Sequence, residues 1–159
     1  MQQIKWKRLI ASIFICELAG ITGAVFTIPS IPQWYGALAK PVLTPPAWVF
    51  SPVWTLLYAL MGVALYLMWN TAGEKQKSRN TILVFGLQLA LNVLWSIAFF
   101  GLHNILAALA VIGLLWLSIA ATIALFYRIS RPAGLILLPY LLWVSFAAYL
   151  NYMIWALNA

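Results

Sequence analysis

Gln88, Asn92 and Ser96 recur at four-residue intervals in "QLALNVLWS", and Trp95 follows Asn92 by three, so on a helix all four share one face. An amide within an apolar run can donate and accept hydrogen bonds, and an indole adds a flat stacking surface. Tyr140, Trp143, Ala147 and Asn151 share a face at offsets of 0, 3, 7 and 11, with a small residue between the rings that leaves space for a flat molecule. Phe50, Trp54 and Tyr58 form a third ladder at i, i+4 and i+8. Together these side chains offer stacking with a few polar anchors, which suits a pocket for a large planar apolar ligand. Any single stripe equally suits core packing, and the amides equally suit bonds between helices, worth about 0.6 kcal/mol on average in membranes.

Conventional catalytic constellations are missing from the sequence. It contains no Cys/His cluster, carboxylate pair, nucleophile with a base, or glycine-rich phosphate loop, so no metal site and no standard enzyme chemistry is expected. The single cysteine, Cys16, lies inside an apolar run and is expected to pack rather than react. Glu17 is the one acidic residue within an apolar run. Such a carboxyl is expensive at lipid depth and must be neutral or paired, either bonding a neighbouring helix near Gly20 and Gly23 or relaying protons. His103 falls in a tight connection, where a turn or headgroup role is expected over metal binding.

These residues have to be positioned by membrane-spanning elements. Hydrophobic residues make up 65% of the 159 and charged ones 7%, against about a quarter charged in soluble domains, and the mean hydropathy is +0.99. Five stretches reach the roughly 20 apolar residues a span requires: 9–28, 47–69, 81–101, 104–126 and 133–156. They lack the alternation of barrel strands, so helices are expected. The expected fold is an all-α integral membrane bundle of five transmembrane helices, one domain over 1–159.

The net charge of +7 comes from residues in the connections, without the basic stripe of a nucleic-acid-binding face. Lys5, Lys7, Arg8, Lys75, Lys77, Arg79, Arg128 and Arg131 fall on one side of the five spans, and Lys40 on the other. The positive-inside rule then puts the N-terminus in the cytoplasm and the C-terminus opposite. The start imitates a signal peptide, but its apolar part is too long and carries Glu17, so it is taken as the first span. Residues 29–46, "PSIPQWYGALAKPVLTPP", form the long connection on the far side. Its prolines predict a stiff lid over the bundle, with a short interfacial helix in "QWYGALAK". Thr44 is expected to cap the second span, with Pro45 as its first residue and Pro52 bending its first turns.

Three blocks, "WYGALAKPVLTPPAWVFSPVWTLLYALMG", "QLALNVLWSIAFFGLHN" and "LPYLLWVSFAAYLNYMIW", resemble the tryptophan-rich sensory protein family, which includes the mitochondrial translocator protein, or peripheral-type benzodiazepine receptor. The resemblance implies a five-helix membrane receptor or sensor, commonly a homodimer, whose pocket beneath the first loop binds porphyrins such as protoporphyrin IX and benzodiazepine-site ligands. Carried to matching positions, that pocket would include Tyr35, Pro45, Trp54, Asn92, Trp95, Trp143 and Ala147. The resemblance further implies that Trp54 and Trp143 take part in a light- and oxygen-dependent breakdown of bound porphyrin, with no cofactor required.

Two positions depart from the family pattern. Leu43 stands where the loop usually carries a tryptophan, so one wall or lid contact is lost. After Tyr152 the chain runs "MIWALNA" without the basic residue of the animal sterol motif, although Leu125, Tyr127 and Arg131 fit the same loose pattern on the other side. A transporter of tetrapyrroles, lipids or sterols is the alternative, against which stands the lack of paired broken helices and repeat symmetry. Small residues Ala107, Ala110, Gly113, Ala120, Ala121 and Ala124 would allow a close helix contact with a second copy, or within one bundle.

Overall fold

The computed structural model describes residues 4–71 and 79–159, and every regular element among them is helical. These elements are α1 (Trp6–Ser30), α2 (Ala47–Thr71), α3 (Arg79–Ser96), α4 (Ile105–Ile129), α5 (Arg131–Leu135) and α6 (Leu138–Asn158). Single π-helical turns, Ile31–Tyr35 and Ile97–Gly101, extend α1 and α3. With those turns, and with α5 and α6 taken together, five helical stretches are long and apolar enough to cross a membrane. The chain is an integral, multi-pass membrane protein. Helices are the form that lets each span satisfy its own backbone in lipid.

The bundle is assembled by α1 against α2 and α3, α3 against α4, and α4 against α6. Cys16, Met61, Leu115, Phe126 and Val144 are fully enclosed in its centre, which gives Cys16 a packing role. Phe85 and Phe126 stack at 5.4 Å between α3 and α4. α1 and α2 are in close contact where Gly62 meets the backbone of Ile13, which leaves no room for a Cβ.

The connections follow their sequence chemistry with some departures. Asn104 caps α4 by accepting from the Ala107 N–H at 2.9 Å. His103, in the tight turn ahead of it, has a φ of 52°, a left-handed conformation. The interfacial helix takes the form of the π turn that continues α1 directly, so α1 runs through Pro29 into the loop. Thr44 does not cap α2, which starts at Ala47. Pro45 and Pro46 offer no N–H to a cap and hold the residues before them extended, so the first bond of the helix is Val49 N–H to the Pro46 carbonyl, at 3.0 Å. The Thr44 hydroxyl is buried without a partner.

The fifth span is divided. α5 ends at Leu135, Leu137 N–H bonds the Gly134 carbonyl at 3.2 Å, and α6 begins just before Pro139. A proline there cannot bond the carbonyl of Leu135, so the chain takes a tighter turn first. Of the basic residues used to infer orientation, Lys75 and Lys77 lie outside the described residues.

Candidate functional site

The two faces of amide and ring read from α3 and α6 meet in one hydrogen-bonded chain. Tyr58 OH donates to Asn92 Oδ1 at 2.6 Å, Asn92 Nδ2 donates to Tyr140 OH at 2.8 Å, and Tyr140 OH donates to Gln88 Oε1 at 3.0 Å. Gln88 Nε2 ends the chain on the Met61 sulfur at 3.6 Å. Nearer the loop, Trp95 Nε1 donates to Asn151 Oδ1 and Asn151 Nδ2 to the Ile105 carbonyl, both at 3.0 Å. Gln88, Asn92, Tyr140 and Asn151 are each about 1% exposed. Bonding them to each other avoids the cost of unpaired polar groups in a dry interior. The stripe therefore ties α2, α3, α4 and α6 together, and Asn92 spends its oxygen and one N–H on that task.

A cavity of about 240 Å³ lies beside this network. α1 and α2 touch at Ile13 and Gly62 and separate toward the loop, and the cavity occupies the gap above that crossing. Its walls are Gly20, Ala24 and Thr27 of α1, Phe50, Trp54 and Tyr58 of α2, Asn92, Trp95 and Ser96 of α3, and Ala147, Leu150 and Asn151 of α6. Tyr35, Phe99 and Phe100 close the loop end, and Glu17 lies at the other. Ile21, Ile28, Ser51 and Thr55 line the cavity yet are exposed, so its mouth opens sideways between α1 and α2, toward lipid.

Aromatic rings make the inner wall continuous. Trp54 lies 5.8 Å from Tyr58, 6.4 Å from Trp95 and 6.4 Å edge-on from Tyr140. Trp95 stacks on Phe99 at 5.6 Å, and Tyr35 lies 5.8 Å from Phe100. Lys40 Nζ sits 4.9 Å over the Tyr35 ring while bonding the Gly36 and Leu38 carbonyls. Behind this wall Trp34 stacks on His103 at 4.3 Å, and Ser30 Oγ donates to the Phe100 carbonyl at 2.7 Å. His103 thus serves the turn and the loop, and no group of three or more metal-ligating side chains occurs among the described residues.

Of the residues singled out from sequence, Tyr35, Trp54, Asn92, Trp95 and Ala147 line the cavity together. Pro45 and Trp143 are not among its lining residues. Trp143 instead packs edge-on to Phe50 at 6.0 Å and beside Phe146 at 5.7 Å, one ring removed from the space, with its indole N–H buried and unpartnered. Sequence reasoning missed the α1 wall. Its signal is a run of small residues on one face, Gly20, Ala24 and Thr27 at i, i+4 and i+7. A Cβ on Gly20 would lie 2.5 Å from the Tyr58 ring, so the absent side chain is what admits that ring.

Comparison with known proteins places this architecture. The model of the TspO/MBR family matches residues 12–156. A tryptophan-rich protein TspO from Archaeoglobus fulgidus is 47% identical over 152 residues, covering 96% of this chain and 97% of the relative. One of the same description from Chlorobaculum tepidum is 44% identical over 144 residues, 91% of each chain. The translocator protein of Bos taurus is 36% identical over 156 residues, covering 96% and 91%. A match over residues 12–156, which reaches into all five spans, leaves one assignment: the chain belongs to the TspO/MBR family.

Proposed function

We propose that the cavity binds a flat apolar ligand of the tetrapyrrole class, and that the protein senses or passes such a ligand within the membrane. Relatives carry the names tryptophan-rich sensory protein and translocator protein, which supports the sensing or translocating part of this reading. The observation that carries the ligand class is the wall of Trp54, Tyr58 and Trp95 around a space that opens to lipid. Indole and phenol faces offer a flat guest offset or edge contacts, while the network behind them keeps their orientation.

At about 240 Å³ the space is smaller than the ~300–1,000 Å³ typical of enclosed pockets. A tetrapyrrole would therefore project through the gap between α1 and α2, or require the loop to yield. Titration of protoporphyrin IX against tryptophan fluorescence tests the reading. Trp54→Ala should weaken binding by about tenfold, the order expected for losing a stacked ring that contributes ~1 kcal/mol or more beyond its area. Unchanged affinity in a folded Trp54→Ala variant would remove the assignment.

Two further features of the working protein belong to the same proposal. The N-terminus faces the cytoplasm, supported by the basic residues Lys5, Lys7, Arg8, Arg79, Arg128 and Arg131 at one end of the spans. A second copy packs on α4, supported by Ala110, Gly113, Ala121 and Ala124, which are exposed along one face of that helix.

A further inference from the structure

Among the described residues Glu17 is the only carboxyl lining the cavity, and no described basic side chain lines it. Counting from Trp6 at 1.5 Å per residue, it stands roughly 17 Å into the span, far from either end of α1. It is half-buried at the vertex where α1 and α2 begin to separate, on the same cavity as Tyr58 and Trp54. Among the described residues it has no hydrogen-bond or ion-pair partner. Of the polar side chains on the same cavity, Tyr58 bonds Asn92, Thr55 the Ser51 carbonyl and Thr27 the Gly23 carbonyl. The described basic residues lie at helix ends or in the loop, where Lys40 is held by backbone carbonyls.

An unpaired carboxyl at this depth is costly and marks a place where a partner belongs. The neighbouring groups restrict that partner's chemistry. A cation next to a carboxylate, with the faces of Trp54 and Tyr58 close by, gains both charge pairing and cation–π attraction in a medium of low dielectric. An anionic group placed beside Glu17 would meet repulsion, so the carboxylates of a porphyrin would have to lie toward the mouth, and a neutral hydrocarbon would leave Glu17 as costly as before.

We propose that the cavity recognises flat aromatic amines, whose protonated nitrogen bonds the Glu17 carboxylate while the fused rings lie against Trp54 and Tyr58. The inference rests on the cavity being a ligand site, and extends its ligand class to cations. Their route is the lateral mouth, since aromatic amines partition into the bilayer and Ile21, Ser51 and Thr55 present no charge at the opening.

The test uses the full chain in phosphatidylcholine nanodiscs, which carry no net surface charge, and three probes of matched size: 9-aminoacridine, anthracene and anthracene-9-carboxylate. Binding is read by energy transfer from tryptophan. In the parent protein 9-aminoacridine should bind at least tenfold more tightly than anthracene, and anthracene-9-carboxylate more weakly than either. Glu17→Gln should collapse the margin between cation and neutral probe to less than twofold. Equal affinities for the cation and the neutral probe in the parent, a comparison that needs no variant, would overturn the inference while leaving the cavity as a site. A margin that survives Glu17→Gln would overturn it as well. Failure of all three probes to bind would remove the cavity reading and this inference with it.

Discussion

Asn92 occupies the middle of the polar chain and faces the cavity, so one residue links packing to ligand contact. Replacing it with leucine strips the buried Tyr58 hydroxyl of its acceptor and Tyr140 of a donor. The expected cost is about 1–3 kcal/mol, measured as a lower thermal midpoint in detergent. Trp54 and Trp143, equivalent in the sequence reading, are separated by the structure: Trp54 lines the cavity, whereas Trp143 reaches it only through Phe50. Trp143→Ala should therefore weaken protoporphyrin IX binding less than Trp54→Ala does in the same titration. An equal loss in both would mean that Phe50 moves aside when ligand binds.

Among the elements, α1 shapes the cavity mainly with small residues, Gly20, Ala24 and Thr27, and contributes one carboxyl, Glu17. Gly62 lets α2 sit on the backbone of Ile13, and from that crossing the two helices separate. Gly62→Ala has no slack to use, because the clash is with backbone, and should cost about 1–3 kcal/mol. Gly86→Ala meets nothing within 4 Å and should change stability by only about 0.5 kcal/mol or less, which makes it the control in the same unfolding series. The five spans were legible in the sequence because hydropathy and length are properties of a segment alone. The π turn after Pro29, the start of α2 at Ala47 rather than Pro45, and the division of the fifth span at Pro139 were less so. Each depends on which of several local hydrogen bonds the surroundings favour. The aromatic ladders could be assigned to helix faces but not to a common space, since rotation of each helix about its axis is set by its neighbours. That is why the Trp54 ladder and the α3 stripe converge while Trp143 turns toward Phe50 and Phe146.

Taken as a whole, the molecule has Glu17 and the rings of Trp54, Tyr58 and Trp95 within the spans and its described cations at the ends or in the loop. With Cys16 fully buried, a cysteine added at the surface is the only readily accessible thiol. Lys5→Cys should resist a membrane-impermeant maleimide in intact cells and react after permeabilisation, whereas Ala159→Cys should react in both. The reverse pattern would invert the proposed orientation. Gly113→Cys should form a disulfide-linked dimer under mild oxidation in native lipid. Monomer alone would exclude a second copy packed through that face of α4.

Asn158 holds the loop by both atoms of its amide: Oδ1 accepts from Ala39 N–H at 3.0 Å, and Nδ2 donates to the Ala39 carbonyl at 2.9 Å. The same Nδ2 also reaches the carbonyl of Ile154, a residue that lines the cavity. Any guest that lifts the cover must loosen this two-pronged grip, so occupancy inside is wired to the last turn of α6. An environment-sensitive dye beside Asn158 would then serve as a remote gauge of whether the chamber is filled.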